Sequence, residues 1–198
     1  RNMFNFTLKD PSFLPHLGCD FEFLIKEGEC LFLTGENGIG KSTLLKRMSL
    51  ELEECFLLSQ TPLDSFYDRS LSGFQKIAKK AFSSALEAET FHDYWSAFHL
   101  DSKSERRLSD LSGGERQSVK LATGLAMKSP LFLLDEPTQY LDQEKKLILS
   151  EILGDLLGQG RSLVIVEHDL SWWRHKARVI PLQVKEGILS EGDSWTIS

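Results

Sequence analysis

Residues Gly35 to Thr43 read Gly-Glu-Asn-Gly-Ile-Gly-Lys-Ser-Thr, and this stretch decides the fold. Glycines at 35, 38 and 40 let the backbone curl through positive φ, so that several N–H groups point inward. The apolar run Leu31-Phe32-Leu33 before it reads as a buried strand, and Ser42-Thr43-Leu44-Leu45-Lys46 after it as the first turns of a helix. Strand, curl and helix start together make an anion cradle, because a helix begins with unpaired N–H groups and the positive end of its dipole. The backbone of Gly35, Glu36, Asn37, Gly38, Ile39, Gly40, Lys41, Ser42 and Thr43 is predicted to wrap phosphates. Lys41 is spaced to reach the β- and γ-phosphates, and the Ser42 hydroxyl to ligate Mg²⁺. The stretch specifies a nucleoside triphosphate and leaves the purpose open.

The rest of the chain narrows that purpose. Its 198 residues suit one large domain, or one domain with an inserted lobe. A net charge of −6 removes any bulk electrostatic case for wrapping nucleic acid, so no nucleic-acid partner is expected. No apolar run approaches the roughly 18–20 residues that cross a bilayer, so work at a membrane needs spans from another chain. The first residues, Arg1-Asn2-Met3-Phe4, carry no secretory signal, and an initial Arg without Met suggests a trimmed start. Cys19, Cys30 and Cys55 are odd in number and lack Cys-x-x-Cys spacing, which points to buried thiols in a reducing cytosol.

Asn2 to Leu8 and Asp20 to Ile25 alternate as half-buried strands do, with a loop carrying Pro11 and Pro15 between them. Buried strands are predicted at Glu29–Thr34, Cys55–Leu58, Leu131–Leu134 and Ser162–Val166. Helices are predicted at Lys41–Leu50, Glu115–Met127 and Gln143–Leu157, and Ala177–Val184 with Gly187–Ser190 closes the chain as a strand pair. Alternating strands and helices predict an α/β fold with a mainly parallel sheet. Residues 61–110 break that alternation and read as an inserted helical lobe.

Two further segments carry chemistry. Leu131-Phe132-Leu133-Leu134-Asp135-Glu136 is an apolar strand ending in two acids. Asp135 then falls at the carboxyl edge of the sheet beside the phosphate loop, where it helps hold Mg²⁺, and Glu136 is free to polarise a water. In Leu111-Ser112-Gly113-Gly114-Glu115 a hydroxyl and two glycines open a helix. That is either a second phosphate-binding helix start or a simple N-cap by Ser112.

In this order the pieces resemble the nucleotide-binding domain of the ATP-binding cassette (ABC) superfamily, over nearly the whole chain. Gly35–Ser42 matches the phosphate loop, Gln60 the Q-loop glutamine, Leu111–Glu115 the signature, and Leu131–Glu136 the Walker B strand with its catalytic glutamate. Gln139-Tyr140-Leu141-Asp142 stands in the D-loop, His168 after Leu163–Glu167 matches the switch histidine, and Ala177–Gly192 resembles the family's closing stretch. The resemblance implies a P-loop NTPase core formed by 1–60 and 111–198, a reduced antiparallel β-subdomain, and a helical subdomain over 61–110.

For mechanism, the resemblance implies ATP and Mg²⁺ held between two cassettes arranged head to tail, either two copies or a paralogous pair. Ser112, Gly113, Gly114 and Glu115 then act on the partner's nucleotide, and Asp142 lies across the seam. Glu136, His168 and Gln60 are the implied catalytic group; Ser42, Gln60 and Asp135 the implied Mg²⁺ group, partly through water. Phe13 is the best-spaced ring for adenine stacking, with core packing as its alternative. Phe91, Tyr94 or Trp95, and Phe98 recur at helical spacing, either as the lobe's own core or as a docking groove for a transmembrane subunit.

Only 18 residues separate Lys41 from Gln60, which leaves no room for the β-hairpin subdomain usual in that interval. Arginines common in transporter subunits are replaced by Ser118 and Thr123. The expected protein is the ATPase subunit of an ABC transporter, cytoplasmic and peripheral at the inner face of the membrane. The alternative is a soluble ABC ATPase acting on ribosomes or nucleic acid. Tyr140-Leu141-Asp142 and Val166-Glu167-His168-Asp169-Leu170 resemble the ribosome-recycling members.

Overall fold

A computed structural model describes residues 3–58, 63 and 68–198. Two long strands, β1 (Met3–Leu14) and β2 (Leu17–Lys26), form an antiparallel hairpin. Then follow β3 (Cys30–Thr34), α1 (Lys41–Glu51), β4 (Cys55–Leu57), α2 (Leu71–Ala81) and α3 (Ala88–Ala97). Two short 3₁₀ turns, Asp101–Lys103 and Leu108–Asp110, lead into α4 (Gly113–Leu125). The chain ends through β5 (Leu131–Asp135), α5 (Gln143–Gly158), β6 (Ser162–Val166), β7 (Ala177–Lys185), β8 (Ile188–Glu191) and β9 (Trp195–Ile197).

The strands make one sheet in the order β1-β2-β8-β7-β3-β6-β5-β4, with β9 beside the start of β7. The centre, β7-β3-β6-β5-β4, is parallel. The hairpin and the β7–β8 pair are antiparallel, and the parallel pairs Gly18–Ile188 and Cys19–Leu189 join them. This is the α/β architecture the sequence implied: a mainly parallel P-loop core, a small antiparallel part and inserted helices.

Alternation of side chains explains the layering. Leu31, Leu33, Leu131, Leu133, Val164 and Val166 face a cluster with α1 and the aromatic hairpin residues Phe6, Phe21 and Phe23. Phe32, Phe132, Leu134, Leu163 and Ile165 face the opposite way, toward α4, α5 and the inserted helices. A central parallel strand is covered on both faces, so its sequence is apolar throughout rather than alternating with polar residues. Trp172 and Trp173 lie edge-on to Phe32, with ring centroids at 6.2 and 5.2 Å, and so brace the strand that feeds the phosphate loop.

Four expectations change. The first strand runs through Pro11 to Leu14, with a register irregularity between Asp10 and Leu14, so the expected loop shrinks to a turn at Pro15 and His16. A proline without an N–H to donate is tolerated at such an irregularity. Helix α4 starts at Gly113, two residues before the expected position, because Ser112 is its cap. Strand β9 is absent from the sequence pattern, because three residues carry too short a period. Phe91, Tyr94, Trp95 and Phe98 are all at most 7% exposed and belong to the main apolar cluster, so that stripe is core and not a docking groove.

Candidate functional site

The phosphate loop joins β3 to α1 as the sequence required. Gly35, Gly38 and Gly40 all have positive φ, of 148°, 80° and 102°. Gly40 is the N-cap of α1, and a methyl there would stand 2.8 Å from the Phe13 ring. A side chain at this position is therefore excluded twice, by conformation and by contact. Phe13 itself is 5% exposed within the hairpin's cluster; of its two readings, the packed one describes this arrangement, and adenine stacking needs the ring to be uncovered.

Lys41 is 5% exposed, and its ammonium donates to the carbonyl oxygens of Gly35 (2.9 Å) and Glu36 (2.7 Å). The cation thus braces the loop from within. Burial lowers its pKa below the ordinary lysine value, opposed by the negative charges of Glu136 and Asp135. Strand β6 lies between β3 and β5, with Val166 in register with both Leu33 and Asp135, so the ends of β3 and β5 lie around one site. Ser42 is exposed on the first turn of α1.

Asp135 ends β5, in register with Val166. Its Oδ1 is buried and has no hydrogen-bond partner among the described residues. A buried carboxylate oxygen of that kind calls for a cation or its water. No cluster of three or more His, Cys, Asp or Glu suited to a metal occurs among the described residues. Mg²⁺ suits such a site, since it commonly relies on one or two protein oxygens, waters and the nucleotide's phosphates. Asp135 and Ser42 fit that requirement. Gln60 lies outside the described residues.

Glu136 follows with φ 45°, a conformation that costs a non-glycine residue strain. Its N–H donates to the Val166 carbonyl (2.9 Å), which fixes the turn across to β6. The turned side chain meets His168: Oε1 lies 3.4 Å from Nε2, and both side chains are about 40% exposed. The sheet edge thus brings together Lys41, Asp135, Glu136 and His168, which the sequence scatters over more than a hundred residues.

The signature segment is built around Ser112. Its hydroxyl accepts from the Glu115 N–H (3.2 Å) and its own N–H donates to Glu115 Oε2 (2.7 Å), a reciprocal cap. Burial raises the Glu115 pKa, but the Ser112 N–H and the Arg106 guanidinium outweigh it and hold the carboxyl below its usual value. Glu115 is therefore engaged within its own chain. Asp142 likewise caps α5, accepting from Lys145 N (2.9 Å) and Lys145 Nζ (2.8 Å).

Three residues without an assigned role in the sequence reading shape this region. Tyr140, 71% exposed with φ 66°, lays its ring against Gly113 and its carbonyl against Gly114. Gln117 of α4 donates to the Pro137 carbonyl (2.9 Å) and so ties the signature helix to the segment after β5. Glu167 is a buried acid directly after the apolar run of β6, and that misplacement is a signal the sequence does contain. A methyl added at Gly114 would stand 2.6 Å from the Tyr140 carbonyl oxygen. Gly114→Ala is expected to cost about 1–3 kcal/mol by overpacking, at about 2–4 °C of Tm per kcal/mol for a chain of this size. Thermal unfolding checks this; an unchanged Tm means the two segments part freely.

A glycine-rich loop opening a helix, set beside an acid-tipped parallel strand, defines a P-loop nucleoside triphosphatase. The sequence profile of the family described as "ABC transporter" matches residues 19–139, well over half of the chain, and the chain belongs to that family. It is an ATP-binding, ATP-hydrolysing cassette whose nucleotide is used with Mg²⁺. A putative ABC transporter ATP-binding protein of Clostridium tetani is 28% identical over 197 residues, covering 87% of this chain and 45% of that protein. Translation initiation factor rli1 of Schizosaccharomyces pombe is 32% identical over 157 residues, covering 76% of this chain and 26% of that protein. The chain thus spans less than half the length of these two relatives. A solved ATP-binding subunit of an ABC transporter superposes with a TM-score of 0.76 at 18% identity, over 98% of this chain and 90% of that one. No described helix is long and apolar enough to cross a membrane.

Proposed function

We propose that residues 1–198 form one cassette, with 61–110 as its helical lobe, that works head to tail with a second copy or a paralogous cassette. ATP is closed between the phosphate loop of one chain and Ser112–Gly114 of the other. The observation that carries this reading is the second helix start. Helix α1 already serves one set of phosphates, yet α4 also opens with an exposed serine and two glycines. One nucleotide has no use for both within a single chain.

In this reading Lys41 and the loop N–H groups hold the β- and γ-phosphates, and Ser42 with Asp135 hold Mg²⁺. The cation supplies neutralisation of phosphate charge. Glu136 accepts the proton of the attacking water as the water's oxygen closes on the γ-phosphorus, while the γ-phosphorus bond to the β-phosphate oxygen breaks and ADP leaves. His168 hydrogen-bonds the γ-phosphate, and its contact with Glu136 keeps that carboxylate aimed. Gln60 contacts Mg²⁺ or the water. Glu115 and Asp142 act by holding the two helix starts that meet at the seam.

The cycle drives a separate transmembrane subunit docked on the helical lobe, with the cassette peripheral to the inner face of the membrane. The name of the Clostridium relative supports this. The translation-factor name of the second relative, with the Val166–Leu170 and Tyr140–Asp142 stretches, supports a second reading in which the partner is the ribosome. Sedimentation of the tagged chain separates them. Co-purification with a multi-span protein from membranes supports the first; ATP-dependent migration with ribosomal subunits overturns it.

The composite site has its own test. Ser112→Arg is expected to leave ATP affinity of the single chain within about twofold, yet lower turnover by about a hundredfold, the cost typical of losing one transition-state donor. Turnover at the unmodified rate would refute a site completed by the second chain.

A further inference from the structure

Glu167 is 5% exposed, the one carboxylate among the described residues that is buried. Its described partners are uncharged. Oε2 accepts from the Thr138 hydroxyl at 2.6 Å, and Oε1 accepts from the His168 backbone N–H at 3.0 Å. Its own N–H donates to the Leu33 carbonyl at 3.3 Å, on the strand that feeds the phosphate loop.

Those partners sit on either side of the reacting edge. Thr138 lies two residues past Glu136 and His168 one residue past Glu167, and Glu136 and His168 approach to 3.4 Å. A single carboxylate therefore closes a ring through Thr138, Glu136 and His168. Burying a charge without a cation is costly, and apolar side chains of similar size often serve stability equally well. Fixed geometry is what such a network supplies, provided each member is satisfied. Both Glu167 oxygens are engaged here, and Gln117 holds the neighbouring Pro137 from the signature helix.

We propose that Glu167 is a positioning residue for ATP hydrolysis: it locks the Glu136 turn to the His168 turn and so fixes the distance between the two side chains. The proposal rests on the roles given above to Glu136 and His168. Glutamine can replace the network without the charge, since its oxygen accepts from the His168 N–H and its amide donates to the Thr138 oxygen. Alanine removes both ties.

The experiment compares kcat, KM and fluorescent-ATP binding for Glu167→Ala, Glu167→Gln, Thr138→Val and the Glu167→Ala/Thr138→Val pair. Misplaced groups of this kind cost about ten- to a hundredfold, and that loss is expected in kcat for Glu167→Ala with ATP affinity within about twofold. Glu167→Gln should recover most of it. The double variant should be no worse than Glu167→Ala, because both changes break one network. A kcat for Glu167→Ala near that of the unmodified chain, or a loss carried by KM alone, overturns the proposal. If Glu167→Ala does not fold, Thr138→Val decides: lowered kcat with normal ATP affinity supports the network, and normal kcat overturns it. Glu136→Gln and His168→Ala run in parallel keep the two readings apart. Full turnover there sinks the catalytic assignment itself; lost turnover there with normal Glu167 and Thr138 variants sinks only the positioning role.

Discussion

Glu136→Gln is expected to lower ATP turnover by about a hundred- to ten-thousandfold, the range for losing a positioned general base, and to leave ATP bound. The two side chains have nearly the same shape, so the strained turn at φ 45° and its tie to the Val166 carbonyl persist. What disappears is the negative charge proposed to accept the water's proton. In the proposed site phosphate is held by Lys41, the loop N–H groups and Mg²⁺, none of which the change removes. Binding without turnover should accumulate the closed pair of chains. Size-exclusion chromatography with ATP and Mg²⁺, beside a phosphate-release assay, checks both parts. A chain that remains monomeric and turns over at the unmodified rate would assign the base elsewhere.

Lys41→Ala is expected to remove useful ATP binding. Truncating one member of a buried, hydrogen-bonded charge pair costs about 2–5 kcal/mol, on the order of 30- to several-thousandfold in affinity. The structure adds a second cost. The ammonium bridges the Gly35 and Glu36 carbonyls, so its loss also frees the loop that must curl around the phosphates. Titration calorimetry with ATP and Mg²⁺ measures the sum. Undiminished affinity would mean that the loop's N–H groups alone carry the phosphates. Melting the nucleotide-free variant controls for folding, since among the described residues the Lys41 ammonium hydrogen-bonds within its own loop.

The core of this fold is plain in the sequence because its parts are local. Leu31–Thr43 encodes strand, curl and helix in one run, and the acid-tipped strand at Leu131–Glu136 is as compact. Segments whose meaning depends on distant packing were less legible. The stripe Phe91, Tyr94, Trp95 and Phe98 has the same periodicity whether a partner or the chain's own α4 covers it; only the folded contacts decide for core. Pro11 looks like a loop residue until β2 is laid beside it. The resemblance points Glu115 and Asp142 toward a second chain, and their capping bonds exist only once the helices have formed. Glu167 is least legible in the sequence, because its hydrogen-bond partner Thr138 is 29 residues away.

The close approach of Tyr140 to Gly113 and Gly114 has a consequence for how this chain changes over time. A larger residue at either glycine meets the tyrosine's ring or carbonyl, and a relaxed backbone at Tyr140 withdraws the surface on which the glycines rest. None of the three positions drifts alone without loss. By this geometry a substitution in one is expected to become tolerable only with a matching shift in another, which couples the start of α4 to the turn before α5.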